Sequence, residues 1–254
     1  MNTTQKVIKT FAICLAALII LSIINGVAHL ATSVFSFNND VNINETYSSD
    51  INNIKIDVGT TNMVIKYGDT FNIAAENVSK EFKIKEEGNT LVIKEKNITI
   101  FGNKKSSHTT ITIPSSLNNL SIDIGAGKLE LSDITSNNFS LNQGAGKVVI
   151  TNLISNNTTI DGGAGELHIT SSKLQNLDLD LGAGKCYYNG ILLGNNKIDQ
   201  GVGELTLDLQ NDDYKFKVEK GLGSITVNGN SYSEDFEVGE GTNIIDIDGG
   251  VGSI

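Results

Sequence analysis

Ile122–Leu131 reads IDIGAGKLEL, and near-copies of this phrase return along the chain. Gly-x-Gly triplets begin at Gly125, Gly144, Gly163, Gly182, Gly201, Gly221, Gly239 and Gly250, in steps of 19, 19, 19, 19, 20, 18 and 11 residues. A fixed period of this kind marks a repeat architecture. It also excludes a phosphate-cradling loop, which occurs once, between a strand and a helix, and ends in Gly-Lys-Ser/Thr or the dinucleotide fingerprint. Lys128, Lys147 and Lys185 follow GAG only as members of an outward column that also holds Glu166, Glu204 and Ser224.

Aligned on the first glycine, the position three residues earlier is apolar throughout: Ile122, Leu141, Ile160, Leu179, Ile198, Val218, Phe236 and Ile247. The next position is Asp123, Asn142, Asp161, Asp180, Asp199, Glu219, Glu237 and Asp248. After the triplet, alternation resumes with Leu129 and Leu131, Val148 and Ile150, Leu167 and Ile169, Leu205 and Leu207, Ile225 and Val227. Period-two alternation is the signature of strands with one buried face. Each unit therefore reads as a strand, a glycine corner, a second strand, and a loop rich in Asn, Ser and Thr such as SDITSNN or TNLISNN. Glycine suits the corner because it accepts positive φ and close backbone approach.

A single unit cannot stand alone. Its roughly four to six apolar side chains contribute about 1.5–3 kcal/mol each when buried, against about 1–2 kcal/mol of backbone entropy per ordered residue. Stacking equivalent columns about 4.8 Å apart joins the cores and pairs the backbones. The fold expected is all-β: a parallel β-solenoid (β-helix) of about 19-residue coils with an N-terminal transmembrane helix, the alternative being an antiparallel β-sandwich or meander. Pro114, the chain's one proline, precedes the first clear repeat, in keeping with unbroken ladders.

Lys6 and Lys9 precede FAICLAALIILSIINGV, Phe11–Val27, and no Lys or Arg follows before Lys55. That asymmetry places the N-terminus in the cytoplasm and the remainder outside. The organisation expected is residues 1–10 cytoplasmic, 11–35 a transmembrane anchor (or a signal peptide cleaved after Ala28), and 36–50 a polar tether. Residues 51–113 then form an N-terminal β-region capping the repeats, and 114–254 the solenoid. Within the β-region, Ile56, Asp57 and Gly59 keep the register, while FKIKEEGNTLVIKEK reads as a hairpin around Glu87, Gly88 and Asn89. The closing GGVGSI breaks off in mid-phrase and leaves an edge open to pairing.

The stretch ITIPSSLNNLSIDIGAGKLELSDI, with GAGKVVITNL and GAGELHI after it, resembles the bacterial putative-adhesin domain of unknown function over roughly residues 51–254. The resemblance implies Gly-x-Gly strand repeats behind an N-terminal anchor, adhesin-like surface roles, and, for some members, proximity to envelope-stress signalling systems. It implies no catalytic residues.

The residues themselves carry little chemistry. Lys+Arg 19 against Asp+Glu 29 gives a net charge of −10, the wrong sign for nucleic acid or an anionic membrane surface. His29, His108 and His168 are isolated, no Cys/His cluster has ligand spacing, and no Ser or Thr has a triad context. Cys14 and Cys186 read as two small buried hydrophobes rather than a disulfide. The acidic column supplies one carboxylate per unit, too few for calcium between coils, and reads as a solvated ladder. Trp is absent and Tyr187 and Tyr188 are adjacent, so only one can face out, which disfavours an aromatic sugar platform.

The expectation is a non-enzyme with no catalytic, cofactor or metal residues: a single-pass cell-membrane protein whose extracytoplasmic solenoid is an adhesin-like or surface interaction module. Its partners would be the membrane, through the N-terminal helix, and a protein or cell-envelope component, without nucleic acid or small-molecule substrate. The alternative is an accessory or regulatory protein of an envelope-stress signalling system.

Overall fold

Inward-facing side chains every second residue, interrupted only at bends, wind the chain into stacked parallel coils. The computed structural model describes residues 41–95, 106–210, 212–227 and 230–254, all within one of two compact units of the chain. The expected cytoplasmic residues and anchor, 1–35, lie outside them; among the described residues no helix is long and apolar enough to cross a membrane.

The centre of the stack is β7 (Leu117–Gln175), which winds continuously through successive coils. Its side-chain hydrogen bonds Asn152 to Asp133, Asn156 to Asn137 and Asn157 to Asn138 each span 19 residues. β8 (Leu177–Leu193) continues the stack in parallel register, Ile160 opposite Leu179 and Leu167 opposite Cys186. β9 (Asn195–Leu209) follows, with Leu179 opposite Ile198 and Cys186 opposite Leu205. The core of one turn shows the alternation at work: Phe139, Leu141, Val148, Ile150 and Leu153 are all buried, each contributing about 1.5–3 kcal/mol by area.

Three bends separate three straight runs per coil. The first is Gly-x-Gly. At the second, Asp133, Asn152 and Ser171, 19 residues apart, hold φ of 58°, 54° and 52°, a left-handed conformation that Asp and Asn tolerate better than most residues. At the third, buried Ser136 and Ser155 donate to the carbonyls of Asn138 (2.7 Å) and Asn157 (3.0 Å), so the short inward polar residues are satisfied. The Asn/Ser/Thr-rich segments expected as loops are thus a third ladder-forming run, because stacked amides replace the apolar signal that marks the other two.

The segment before Pro114 is more than a cap. β2 (Asn53–Tyr67) forms the first two runs of a coil stacked on the start of β7, with Ile56 opposite Ile122 and Met63 opposite Leu129; Thr60 and Thr61 stand opposite Ala126 and Gly127 of the triplet. Outside it lie, parallel, β5 (Thr90–Glu95) and β6 (His108–Ile113). Antiparallel strands then close this end: β3 (Asn72–Val78) on β6, β1 (Val41–Thr46) on β3, and β4 (Phe82–Glu87) on β5. The expected hairpin is β4–β5, turning at Gly88, whose φ is 62°. Residues 41–46, expected within a free tether, are instead hydrogen-bonded as β1.

At the other end the chain order departs from the stacking order. After β9 come β10 (Tyr214–Glu219), β11 (Leu222–Val227), β12 (Asn230–Tyr232) and β13 (Phe236–Val238), then β14 (Asn243–Asp248) and β15 (Val251–Ser253). β14 lies between β9 and β10, with Ile247 opposite both Ile198 and Val218. β15 lies between β9 and β11, Gly252 opposite both Gly203 and Gly223. The closing GGVGSI, expected as an open edge, is paired on both sides from Val251 to Ser253. The triplet at Gly239 is not a corner either: β13 runs antiparallel to β10, and Gly239 and Gly241 turn the chain into β14. Spacing alone could not separate this turn from a coil bend, because glycine serves both.

Candidate interaction surface

The first straight run presents the acidic column. Asp57 stands opposite Asp123, Asp161 opposite Asp180, Asp180 opposite Asp199, Asp199 opposite Asp248, and Asp248 opposite Glu219, with Asn142 in the same column. Neighbours at ladder spacing repel by about 1 kcal/mol in water. Lys197 relieves this locally, its Nζ 2.6 Å from Asp199 Oδ2, and that bond holds the lysine above its usual range. Among the described residues no group of three or more His, Cys, Asp or Glu converges as a metal site.

The second run carries the column read from the GAG phrases, in which charges alternate from Lys147 through Glu166 and Lys185 to Glu204. Lys147 Nζ lies 3.0 Å from Glu166 Oε2 and Lys185 Nζ 2.9 Å from Glu204 Oε2, while Lys128 bridges to Glu130. The Lys147 bond holds the Glu166 carboxyl below the usual range, and His168 stands 3.6 Å from it. Such pairs are exposed, so solvent and salt screen them. Tyr187 faces outward and donates to Asp208 (3.3 Å); Tyr188 faces inward, buried, donating to the Ile191 carbonyl (2.8 Å). Burial raises the Tyr188 hydroxyl and pushes the Cys186 thiol up to about 12, so the latter is no nucleophile near neutrality.

The third run presents amides. Asn119 donates to Asn53 (2.5 Å), Asn138 to Asn119 (2.8 Å) and Asn157 to Asn138 (3.0 Å), a ladder crossing four coils. The sequence offered a signal for it, paired Asn at 19-residue spacing, that a loop reading conceals.

Among the described residues, cavities adjoin the packing at two places of note. One, about 20 Å³, adjoins Gly162, where the inward column of Gln143 and Leu181 lacks a side chain. The other, about 430 Å³, lies at the C-terminal end, lined by Leu207 and Leu209 of β9, Tyr214 and Phe216 of β10, Thr226 and Val227 of β11, and by Val238, Ile247 and Ile254, with the exposed Asp208 and Asp212 at it as well.

Two solved structures are similar over most of their length. One is "a putative cell adhesion protein" from Clostridium sporogenes ATCC 15579, at 18% identity, covering 85% of this chain and 97% of that one, with a TM-score of 0.32. The other is "a putative adhesin" from Bacteroides fragilis NCTC 9343, at 14% identity, covering 88% and 98%, with a TM-score of 0.46. No protein with a curated description matches the chain. The family described as Toastrack DUF4097 matches residues 51–242, and the chain belongs to that family.

Proposed function

We propose that the protein is a non-catalytic surface interaction module, held at the cell membrane by the Phe11–Val27 segment with its solenoid outside the cytoplasm. The observation that carries this reading is the regular exterior. Two of the outward columns repeat nearly one kind of side chain per coil, carboxylates on the first run and amides on the third, so a partner would meet the same group at successive rungs. The anchor is supported by the apolar run behind Lys6 and Lys9 and by the absence of Lys and Arg between Lys9 and Lys55. A partner would be a protein or cell-envelope component, and with a net charge of −10 the module would favour cationic surfaces.

The test is capture of envelope components by the full-length chain in lipid nanodiscs. Saturable binding that weakens with salt is expected; its absence would sink the reading. If deletion of the gene instead alters envelope-stress transcription while attachment and capture are unchanged, the accessory role in stress signalling replaces it.

A further inference from the structure

The outward column of the second run is built as its own complement. Lys147, Glu166, Lys185 and Glu204 occupy successive rungs, Glu166 opposite Lys185 and Lys185 opposite Glu204. Lys147 is bridged to Glu166 and Lys185 to Glu204, yet all four side chains are roughly half exposed or more. Among the described residues no strand packs over them. The alternation stops at Lys128, which bridges to Glu130 of its own strand. On the other side it gives way to Ser253, opposite Glu204.

Four alternating charges read Lys-Glu-Lys-Glu from one end and Glu-Lys-Glu-Lys from the other. A second copy laid on this face in the same direction and register sets Lys on Lys and Glu on Glu, and such like-charge contacts oppose binding. A copy turned by half a rotation about the strand direction reverses the column. It then sets Lys147 against Glu204 and Glu166 against Lys185, each pair occurring twice by symmetry. A column of one sign, such as the carboxylates of the first run, has no complementary arrangement with itself. We propose that this face pairs two copies of the protein in an antiparallel, two-fold symmetric dimer, whose axis passes between the rungs of Glu166 and Lys185. The inference goes beyond the reading of the domain as a surface module, since the partner is the protein itself.

The neighbouring outward column fits the same axis. It holds Val149, His168, Tyr187 and Thr206, each two residues after a charge. The half rotation brings His168 over Tyr187 of the second copy and Tyr187 over its His168. Within one chain these rings already stand 6.3 Å apart, so four rings gather about the axis, and tyrosine is enriched at the centres of interfaces. Val149 falls over Thr206, so this column sets no charge on an apolar group. From Lys147 to Glu204 is three rung spacings, about 14 Å. That face is small beside the about 800 Å² per partner of a stable complex, so the pairing is weak and sensitive to salt.

The full-length chain is placed one copy per lipid nanodisc, and energy transfer between donor- and acceptor-labelled discs is followed against concentration. Wild-type discs are expected to associate saturably, and at least about tenfold more weakly when salt rises from about 0.05 M to about 0.5 M. The combined inversion Lys147→Glu, Glu166→Lys, Lys185→Glu and Glu204→Lys keeps both pairs within the column. Its discs should associate with one another within about threefold of wild type, but with wild-type discs at least about tenfold more weakly. In a Cys14→Ser background, Lys147→Cys discs should oxidise to a disulfide with Glu204→Cys discs, and neither with its own kind, because equal positions lie three rungs apart. Wild-type discs that associate no more than empty ones, mixed pairs as tight as like pairs, or cross-linking of position 147 to itself overturns the proposal. Envelope capture by discs that do not pair rejects the dimer and leaves the surface-module reading in place; pairing without capture rejects that reading and leaves the dimer.

Discussion

Gly165 passes so close over Gly146 that a Cβ on Gly165 would stand 1.9 Å from the Gly146 carbonyl oxygen. The same relation joins Gly184 to Gly165 and Gly203 to Gly184, and Gly165 also holds φ at 150°. The second glycine of the triplet is thus required twice over, by backbone conformation and by the distance between coils. Neither demand involves a ligand.

Gly162 offers the contrast within one coil. A Cβ there meets only Leu181 Cδ2 at 3.4 Å and the Asp180 carbonyl at 3.6 Å, ordinary contact. Gly162→Ala is expected to stabilise by about 0.4–1 kcal/mol through the unfolded chain, while Gly165→Ala should cost about 2–4 kcal/mol. Urea denaturation of both variants checks this; equal effects would contradict the assignment.

The amide ladder supplies a second expectation. Asn138→Ala removes the donor to Asn119 and the acceptor for Asn157 at once. Because the ladder is exposed, the loss should be about 1 kcal/mol, read as a lowered urea midpoint with an unchanged slope.

Asp213 secures the lead into β14, accepting from the Thr242 amide (2.9 Å) and hydroxyl (2.6 Å). These bonds hold its carboxyl below the ordinary value of 3.8. A depressed carboxylate contributes stability that is present above its unfolded pKa and is lost as pH falls through the folded one. Amide exchange of residues 242–248, corrected for intrinsic rates, should therefore accelerate as pH drops below about 4, and Asp213→Asn should flatten that dependence.

Cys186 gives a labelling test. In a Cys14→Ser background, a maleimide at pH 8 should leave the buried, protonated thiol unmodified until denaturant is added. Rapid native-state labelling would show that this coil opens.

The solenoid was legible because Leu, Ile and Val columns and triplet glycines both repeat at 19 residues, and a stacked core requires such columns to coincide. The third run was not, since Ser136, Asn137, Asn138 and their counterparts carry a turn-like composition that only stacking converts into a ladder. β1 was hidden for a related reason: Val41–Thr46 offers two apolar residues, and its pairing with β3 is antiparallel and distant in sequence. The void at Leu207 and Leu209 could not be read at all, because it depends on which strands become neighbours near Gly250, and the period is silent on insertion out of order.

That insertion makes β14 and β15 a keystone. A simple stack can grow outward one turn at a time, each turn laid on the last; here the outer turn at 214–227 exists in the chain before the turn on which it rests. The end of the domain therefore cannot reach its final pairing without Asn243–Ser253, so the outer turn depends on sequence that follows it in the chain.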